Sequence, residues 1–139
     1  MINLIVSAPQ YVAAGAIITY PAERAKTRGG CMCNGGWLYH AEDSGMVTIG
    51  RPGIYKVSFT AQAAASAAGA VTAALQTGGE TLSGAVSGGQ AAAAGDLVPL
   101  AIDALVVVPC GASVVLSIAN TSAAAITINA ASMVITRQC

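Results

Sequence analysis

A strand pattern that runs directly into a stretch of alanines constrains this chain more than any other feature. Segment 54–60 reads IYKVSFT, and its large apolar side chains alternate with Lys, Ser and Thr. A period of two is typical of a β-strand with one buried face. We therefore expect Tyr55, Val57 and Phe59 to lie together in the core of a sheet.

The stretch that follows favours the opposite structure on propensity alone. Nine alanines fall within 61–75, and alanine is the best intrinsic helix former. A helix here would hold Gly69 in mid-span, would lack a charged face and would follow a strand without a turn. We therefore predict two strands joined by a small-residue connection at 66–69.

Turn-forming residues divide the rest of the chain at intervals of roughly ten residues, which is typical of an all-β sandwich. Glycine pairs such as Gly88-Gly89 predict turns, and β-branched residues dominate the last three apolar stretches. At 139 residues we expect one domain, 1–139, in which 1–10 forms an N-terminal arm or strand. The ten predicted strands are 2–7, 11–20, 37–40, 46–49, 54–63, 70–76, 82–87, 97–108, 113–119 and 125–136.

Charge is scarce and unevenly distributed. Charged residues make up 9% of the chain, no lysine or arginine occurs within 57–136, and the formal net charge is zero. We expect no nucleic-acid partner, because that needs a basic surface. We also expect no membrane partner, since the apolar segment 105–119 is broken by proline, glycine and serine. Several predicted strands are apolar on both faces, which predicts a symmetric homo-oligomer.

Five motifs, in order, resemble one protein family. RPGIYKVSFTAQ is similar to the Pro-Gly-(Ile/Val)-Tyr-x-(Val/Phe)-Ser-(Phe/Tyr) strand of the tumour-necrosis-factor/C1q-like jelly rolls. That resemblance is strongest for their bacterial and phage branch, which includes the C-terminal domain of the spore-surface collagen-like glycoprotein. The segments YVAAGAIITY, GAVTAALQTGGETLSGA, LVVVPCGASVVLSIAN and AASMVITR resemble other strands of the family. Pro109-Cys110-Gly111 departs from the family's usual Ala-Gly-Asp.

The resemblance implies a ten-strand jelly roll that forms a homotrimer about a threefold axis, with one sheet of each subunit facing the axis. The candidate trimer contacts are Val106, Val108, Val115, Met133 and Ile135. The partner implied first is therefore a second and third copy of this chain.

No residue constellation indicates an enzyme. His40 is the only histidine, and its neighbours Glu42 and Asp43 come with no marked nucleophile. We expect no catalytic site, no cofactor and no metal. Two alternatives stay open: a metal on His40 near a threefold axis, and calcium on Glu42, Asp43 and Asp96.

The four cysteines lack the paired spacing of a zinc site. They are interpreted as small apolar side chains or as a late-forming disulfide, with an intermolecular bridge as an alternative for the last residue. These cysteines are Cys31, Cys33, Cys110 and Cys139.

Exposed aromatic and basic residues are the candidates for recognition. Tyr11, Trp37 and Tyr39 offer ring faces suited to the apolar side of a sugar. Segment 21–30, PAERAKTRGG, is expected to be a polar loop, and such loops commonly carry recognition. The candidate ligand or partner contacts are Trp37, Tyr39, His40, Arg24 and Arg28.

Two functions follow as hypotheses. The first is a non-enzymatic structural protein of a bacteriophage virion, either a trimeric capsid decoration protein or the head of a short fibre, partnered by the major capsid protein. Because the N-terminal residues lack the basic region of a secretory signal, we expect assembly in the host cytoplasm. The alternative is a carbohydrate- or receptor-binding module of a phage tail or a bacterial cell or spore surface, with a host-surface glycan as partner.

Overall fold

The computed structural model describes residues 1–26 and 38–138, and these residues form strands and turns without a helix. The part described therefore contains no helix that could cross a membrane. It forms β1 (Ile2–Val6), β2 (Gln10–Val12), β3 (Ala22–Lys26), β4 (Leu38–His40), β5 (Val47–Ile49), β6 (Gly53–Ala65), β7 (Gly69–Thr77), β8 (Glu80–Ala91), β9 (Leu97–Val108), β10 (Val114–Asn120) and β11 (Ile126–Arg137).

The alanine run is extended, as the strand pattern predicts. The alternation of 54–60 continues through β6, where Ala61, Ala63 and Ala65 face inward. Antiparallel ladders to β9 and β11 hold the strand on both sides. These hydrogen bonds between strands, together with burial of the inward side chains, outweigh the helix propensity of alanine.

The strands form two antiparallel sheets. The six-stranded sheet has the order β3-β1-β11-β6-β9, and β2 also pairs with β11 beyond the end of β1. The five-stranded sheet has the order β4-β5-β10-β7-β8. From β5 onward the chain changes sheet at every connection except the β7–β8 hairpin. Two packed sheets linked in this way form an all-β jelly-roll sandwich.

The strand count differs from the ten predicted, because the structure adds β3 where a polar loop is expected. Residues 22–26 pair with β1 at the edge of the six-stranded sheet. The pair Gly88-Gly89 lies inside β8 and does not form the expected turn. A Cβ on Gly88 would lie 2.7 Å from Thr72 Cγ2, so close packing explains the glycine there.

The segment predicted as one strand over 11–20 is a short strand followed by a strap, residues 13–20, that crosses to the five-stranded sheet. The Gly15 amide donates to the Asn120 carbonyl at 2.8 Å, and the Ile18 amide donates to the Ile118 carbonyl at 2.8 Å. The strap thereby extends the line of β5 along β10.

The core lies between the two sheets. Tyr55, Val57 and Phe59 are fully buried there, packed with side chains of the opposite sheet such as Leu75 and Leu116. The alternation in 54–60 thus identified three central residues of the six-stranded sheet.

The trimer contacts expected on the last strands need correction. Val106, Val108, Met133 and Ile135 all face the interior of the sandwich and are buried within the subunit. The face that these side chains occupy follows from the strand register: Tyr55 faces inward, and it pairs with Val106. The continuous apolar run 105–108 contains no polar residue that marks this parity. Val115, on β10, is half-buried. It is therefore the one residue of the five that the subunit does not bury completely.

Candidate functional site

A depression of about 430 Å³ opens on the outer face of the six-stranded sheet. Small and apolar side chains form its floor, and polar side chains stand around it. We call it the Arg24 depression. It is lined by Ile5, Val6, Ser7, Arg24, Thr60, Ala61, Gln62, Ala130, Ala131 and Ser132.

An interruption in the pairing along β11 creates this depression. β1 pairs with β11 as far as Val6 opposite Ala131, and pairing resumes in β2 with Gln10 opposite Ile128. Residues 7–9 leave the ladder between these points, and β11 itself carries a register shift between Ile128 and Ala130. The local ladder is therefore open, and alanine leaves the space unfilled.

A second irregularity places Arg24 at this depression. In the pairing of β3 with β1, Glu23 lies opposite Leu4 and Ala25 lies opposite Asn3, so Arg24 has no residue opposite it. Bulges of this kind redirect side chains and bend edge strands. The Arg24 side chain is exposed, and no hydrogen bond or ion pair with the described residues engages it.

Two polar side chains of β6 line the same depression as Arg24, from which β1 and β11 separate them in the sheet. Thr60 and Gln62 are exposed on the outer face, and neither side chain hydrogen-bonds within the described part of the chain. Across the sheet, the Ser132 hydroxyl accepts from Asn3 Nδ2 at 2.9 Å. Asn3 Nδ2 also lies 3.2 Å from the Met133 carbonyl, which fixes the amide that holds Ser132. The depression therefore presents a guanidinium, an amide and hydroxyls to solvent.

Tyr11 lies on the same face and is 73% exposed. It sits opposite Thr127 of β11, which in turn lies opposite Ala64 of β6. Ala64 and Gln62 share the outward side of β6, so one ladder row, roughly 7 Å, separates the Tyr11 row from Gln62. An aromatic surface and the polar depression therefore adjoin.

The fold separates the other predicted contact residues from this face. Tyr39 is 63% exposed, but it lies on β4 in the five-stranded sheet. Of the sequence-predicted contacts that the structure describes, Arg24 alone lines the depression, and Tyr11 lies on the same face. Trp37 and Arg28 lie outside the described residues.

His40 is buried, which corrects its assignment as a ligand contact. Its Nε2 donates to the Ser44 carbonyl at 2.7 Å, and its Nδ1 lies 3.4 Å from a carboxylate oxygen of Glu23. The ring also meets Tyr20 edge to face, with 6.2 Å between centroids. His40 thus links β3, β4 and the strap inside the protein.

Two of the residues considered for metals, His40 and Asp96, make hydrogen bonds within the protein. No group of three His, Cys, Asp or Glu side chains that could hold a metal occurs in residues 1–26 and 38–138. Asp96 Oδ2 accepts from the Ala92 and Ala93 amides, each at 3.0 Å, and closes the turn after β8. Cys110 is a free, exposed thiol. The other three cysteines, Cys31, Cys33 and Cys139, lie outside the described residues.

A second surface feature lies on the same sheet, about 20 Å along β6 from Gln62. Leu105 and Val107 point outward from the edge strand β9 and are 61% and 65% exposed. Ile54 lies opposite Val107 and is exposed too. We call these three residues the β9 patch.

Sequence reasoning missed Gln62 and Ser132 as site residues. Both are ordinary polar residues on strands, and nothing in the one-dimensional pattern marks the gap between β1 and β2 along β11. The sequence offered one signal: Gln62 continues the polar side of the alternation that begins at 54–60, which places it on the outer face of the sheet.

No protein family and no curated protein matches this sequence. Among solved structures, the chain is similar to the Podospora anserina GH26-CBM35 β-(1,4)-mannanase, with 15% identity and a TM-score of 0.38. That alignment covers 96% of this chain and 29% of the mannanase chain. The chain is also similar to CBM35 from Cellvibrio japonicus Abf62, with 12% identity, a TM-score of 0.37, and coverage of 99% and 98%. At these TM-scores neither likeness assigns a function to this chain.

Proposed function

We propose that this protein is a non-catalytic module that binds a saccharide on the outer face of its six-stranded sheet. One observation carries the proposal: Tyr11 and the unengaged polar side chains of the Arg24 depression share that face. A sugar ring combines an apolar C–H face, which suits an exposed tyrosine, with hydroxyls that need amide and hydroxyl partners. No other exposed aromatic side chain of the described residues has this surrounding.

Glycan binding by matched tyrosine variants tests the proposal. The wild-type protein is applied to a glycan array, and Tyr11→Ala is expected to lose most of the signal. Tyr39→Ala is the control, because Tyr39 is similarly exposed on the opposite sheet. Loss of binding in Tyr39→Ala with retention in Tyr11→Ala would place the ligand on the wrong face and overturn the proposal.

A second candidate function is self-assembly as a trimeric structural component of a virion, partnered by the major capsid protein. The β9 patch favours it, since large apolar side chains are exposed together at one sheet edge. The native mass in solution tests the assembly itself, and imaging of purified particles tests its place on a virion.

A further inference from the structure

We propose that the Arg24 depression takes a saccharide bearing an anionic substituent, a carboxylate or a sulfate, which binds to the guanidinium of Arg24. This inference rests on the proposed function, because it names the chemical class of saccharide bound at the same face. It adds a requirement for an anionic group on the sugar, which the stacking of a neutral sugar on Tyr11 does not need.

The charge at the depression supports an anionic ligand. Among the described residues that line it, Arg24 is the one that carries a charge. The two acids on the strands of this sheet have other partners: the Glu23 carboxylate lies 3.4 Å from His40 Nδ1, and Asp103 accepts a hydrogen bond from the Ser58 hydroxyl. No described carboxylate therefore neutralises the Arg24 guanidinium.

The shape of the donor set supports a substituted sugar over a free anion. A guanidinium presents parallel N–H groups that match two oxygens of a carboxylate or sulfate. Thr60 and Gln62, which line the same depression from β6, can donate to, or accept from, ring hydroxyls. Tyr11 adds a ring surface one ladder row beyond Gln62. A free inorganic anion would use Arg24 and leave these other groups without a role.

The experiment compares matched glycans by titration calorimetry on the full chain. The matched glycans are a neutral galactose oligomer, the galacturonate oligomer of equal length, and a sulfated galactose oligomer. We expect an anionic member to bind about tenfold more tightly than its neutral counterpart, as one charge-assisted contact provides. The difference should shrink as the salt concentration rises, because the site is exposed.

Three variants assign the effect to Arg24. Arg24→Gln should bring the affinity for the anionic oligomers down to that for the neutral oligomer, so that the tenfold preference disappears. Arg24→Lys, which keeps the charge but loses the planar fork, should retain part of it. Lys56→Gln is the matched control, since Lys56 is an exposed cation on the same sheet face outside the depression. Equal thermal unfolding of the variants shows that each one folds.

The outcomes separate this inference from the proposed function. Equal affinity for neutral and anionic oligomers, with binding still lost in Tyr11→Ala, overturns the anionic requirement and leaves saccharide binding intact. An anionic preference that survives in Arg24→Gln also overturns it. Absence of binding to every oligomer and every arrayed glycan removes both.

Discussion

The amide of Asn120 is fully buried and ties three segments together. Its Nδ2 lies 3.2 Å from the Val12 carbonyl and 3.1 Å from the Ala124 carbonyl, and its Oδ1 accepts from the Ser122 amide at 3.0 Å. Asn120→Ala leaves these buried groups without their partner, so we expect the free energy of unfolding to fall by about 3 kcal/mol. Urea denaturation measures the change.

The neighbouring Thr121→Ala provides the control for that substitution. Thr121 is exposed, and its hydroxyl contacts only that of Thr72, at 2.7 Å. We expect a loss of about 0.5 kcal/mol or less, as for most surface changes. Equal losses in Asn120→Ala and Thr121→Ala would show that the buried amide contributes no more stability than the exposed hydroxyl.

Tyr20 predicts a loss of stability at alkaline pH. Burial raises the pKa of its phenol above the ordinary value of 10.0. The unfolded chain releases this proton above about pH 10 while the folded protein keeps it, so the free energy of unfolding falls as the pH rises further. Below pH 10 the Tyr20 phenol leaves the free energy of unfolding at its full value. Above pH 10 this free energy falls by about 1.4 kcal/mol per pH unit.

Denaturant titrations between neutral pH and pH 11 measure this slope. Tyr20→Phe should show a shallower alkaline decline of the free energy of unfolding than the wild type, because the Tyr20 phenol is absent. The hydroxyl contributes only a weak contact to Met133 Sδ at 3.8 Å, so stability at neutral pH should change little. Burial also raises the pKa of Tyr55, so a residual slope is expected in the variant. An unchanged slope would contradict the assignment to Tyr20.

At the scale of single residues, the sequence identified Arg24 and Tyr11 as candidates for recognition but did not place them together. Their position on one sheet face depends on β1 and β2 pairing end to end with β11, at a sequence separation above 100 residues. It also depends on a bulge beside Arg24 that no local motif encodes. Side-chain chemistry is local, whereas the face a side chain occupies is set by long-range register.

Among the elements, the strap depends on a close backbone approach at Gly45. A Cβ there would clash with the Ile18 carbonyl oxygen and would lie 2.8 Å from Ile17 Cδ1. Gly45→Ala should therefore displace the strap from β10 and lower the free energy of unfolding by about 1–3 kcal/mol, as overpacking does. Thermal or urea unfolding measures the loss.

Gly50→Ala is the matched control for Gly45→Ala. Nothing lies within 4 Å of a Cβ built at Gly50, and its φ lies outside the left-handed region. We expect it to be neutral or slightly stabilising, because alanine restricts the unfolded chain. A Gly45→Ala protein as stable as Gly50→Ala would mean that the strap is not seated by this contact.

The elements also show where pattern reading succeeds and where it stops. β6 was predicted with its correct inward face because polar and apolar residues alternate along 54–60. β9 offers no such signal in 105–108, and the inward valines there were assigned to a subunit interface. The polar strand β3 was expected to be a loop, because edge strands tolerate charged side chains that resemble loop composition.

For the whole molecule, frequent turn signals and β-branched stretches were enough to predict an all-β sandwich. The same reasoning could not reveal which apolar residues remain outside after the two sheets pack. Most of the candidate trimer contacts, including Val106 and Met133, are buried in the core of one subunit. The remaining exposed apolar surface is smaller than composition suggests, and the β9 patch is its most compact part on the six-stranded sheet.

Self-association through the β9 patch is therefore a prediction about native mass. A chain of 13.6 kDa should run as a trimer by sedimentation or native mass spectrometry. A stable interface needs roughly 1,000 Å² or more of buried surface, so contacts beyond Leu105 and Val107 must contribute. Leu105→Lys puts an unpaired charge into the centre of this surface and should give monomers. Val86→Lys, an exposed position on the five-stranded sheet, should leave the mass unchanged. A wild-type monomer would rule out the assembly, whereas a trimer that persists in Leu105→Lys would move its interface to another surface.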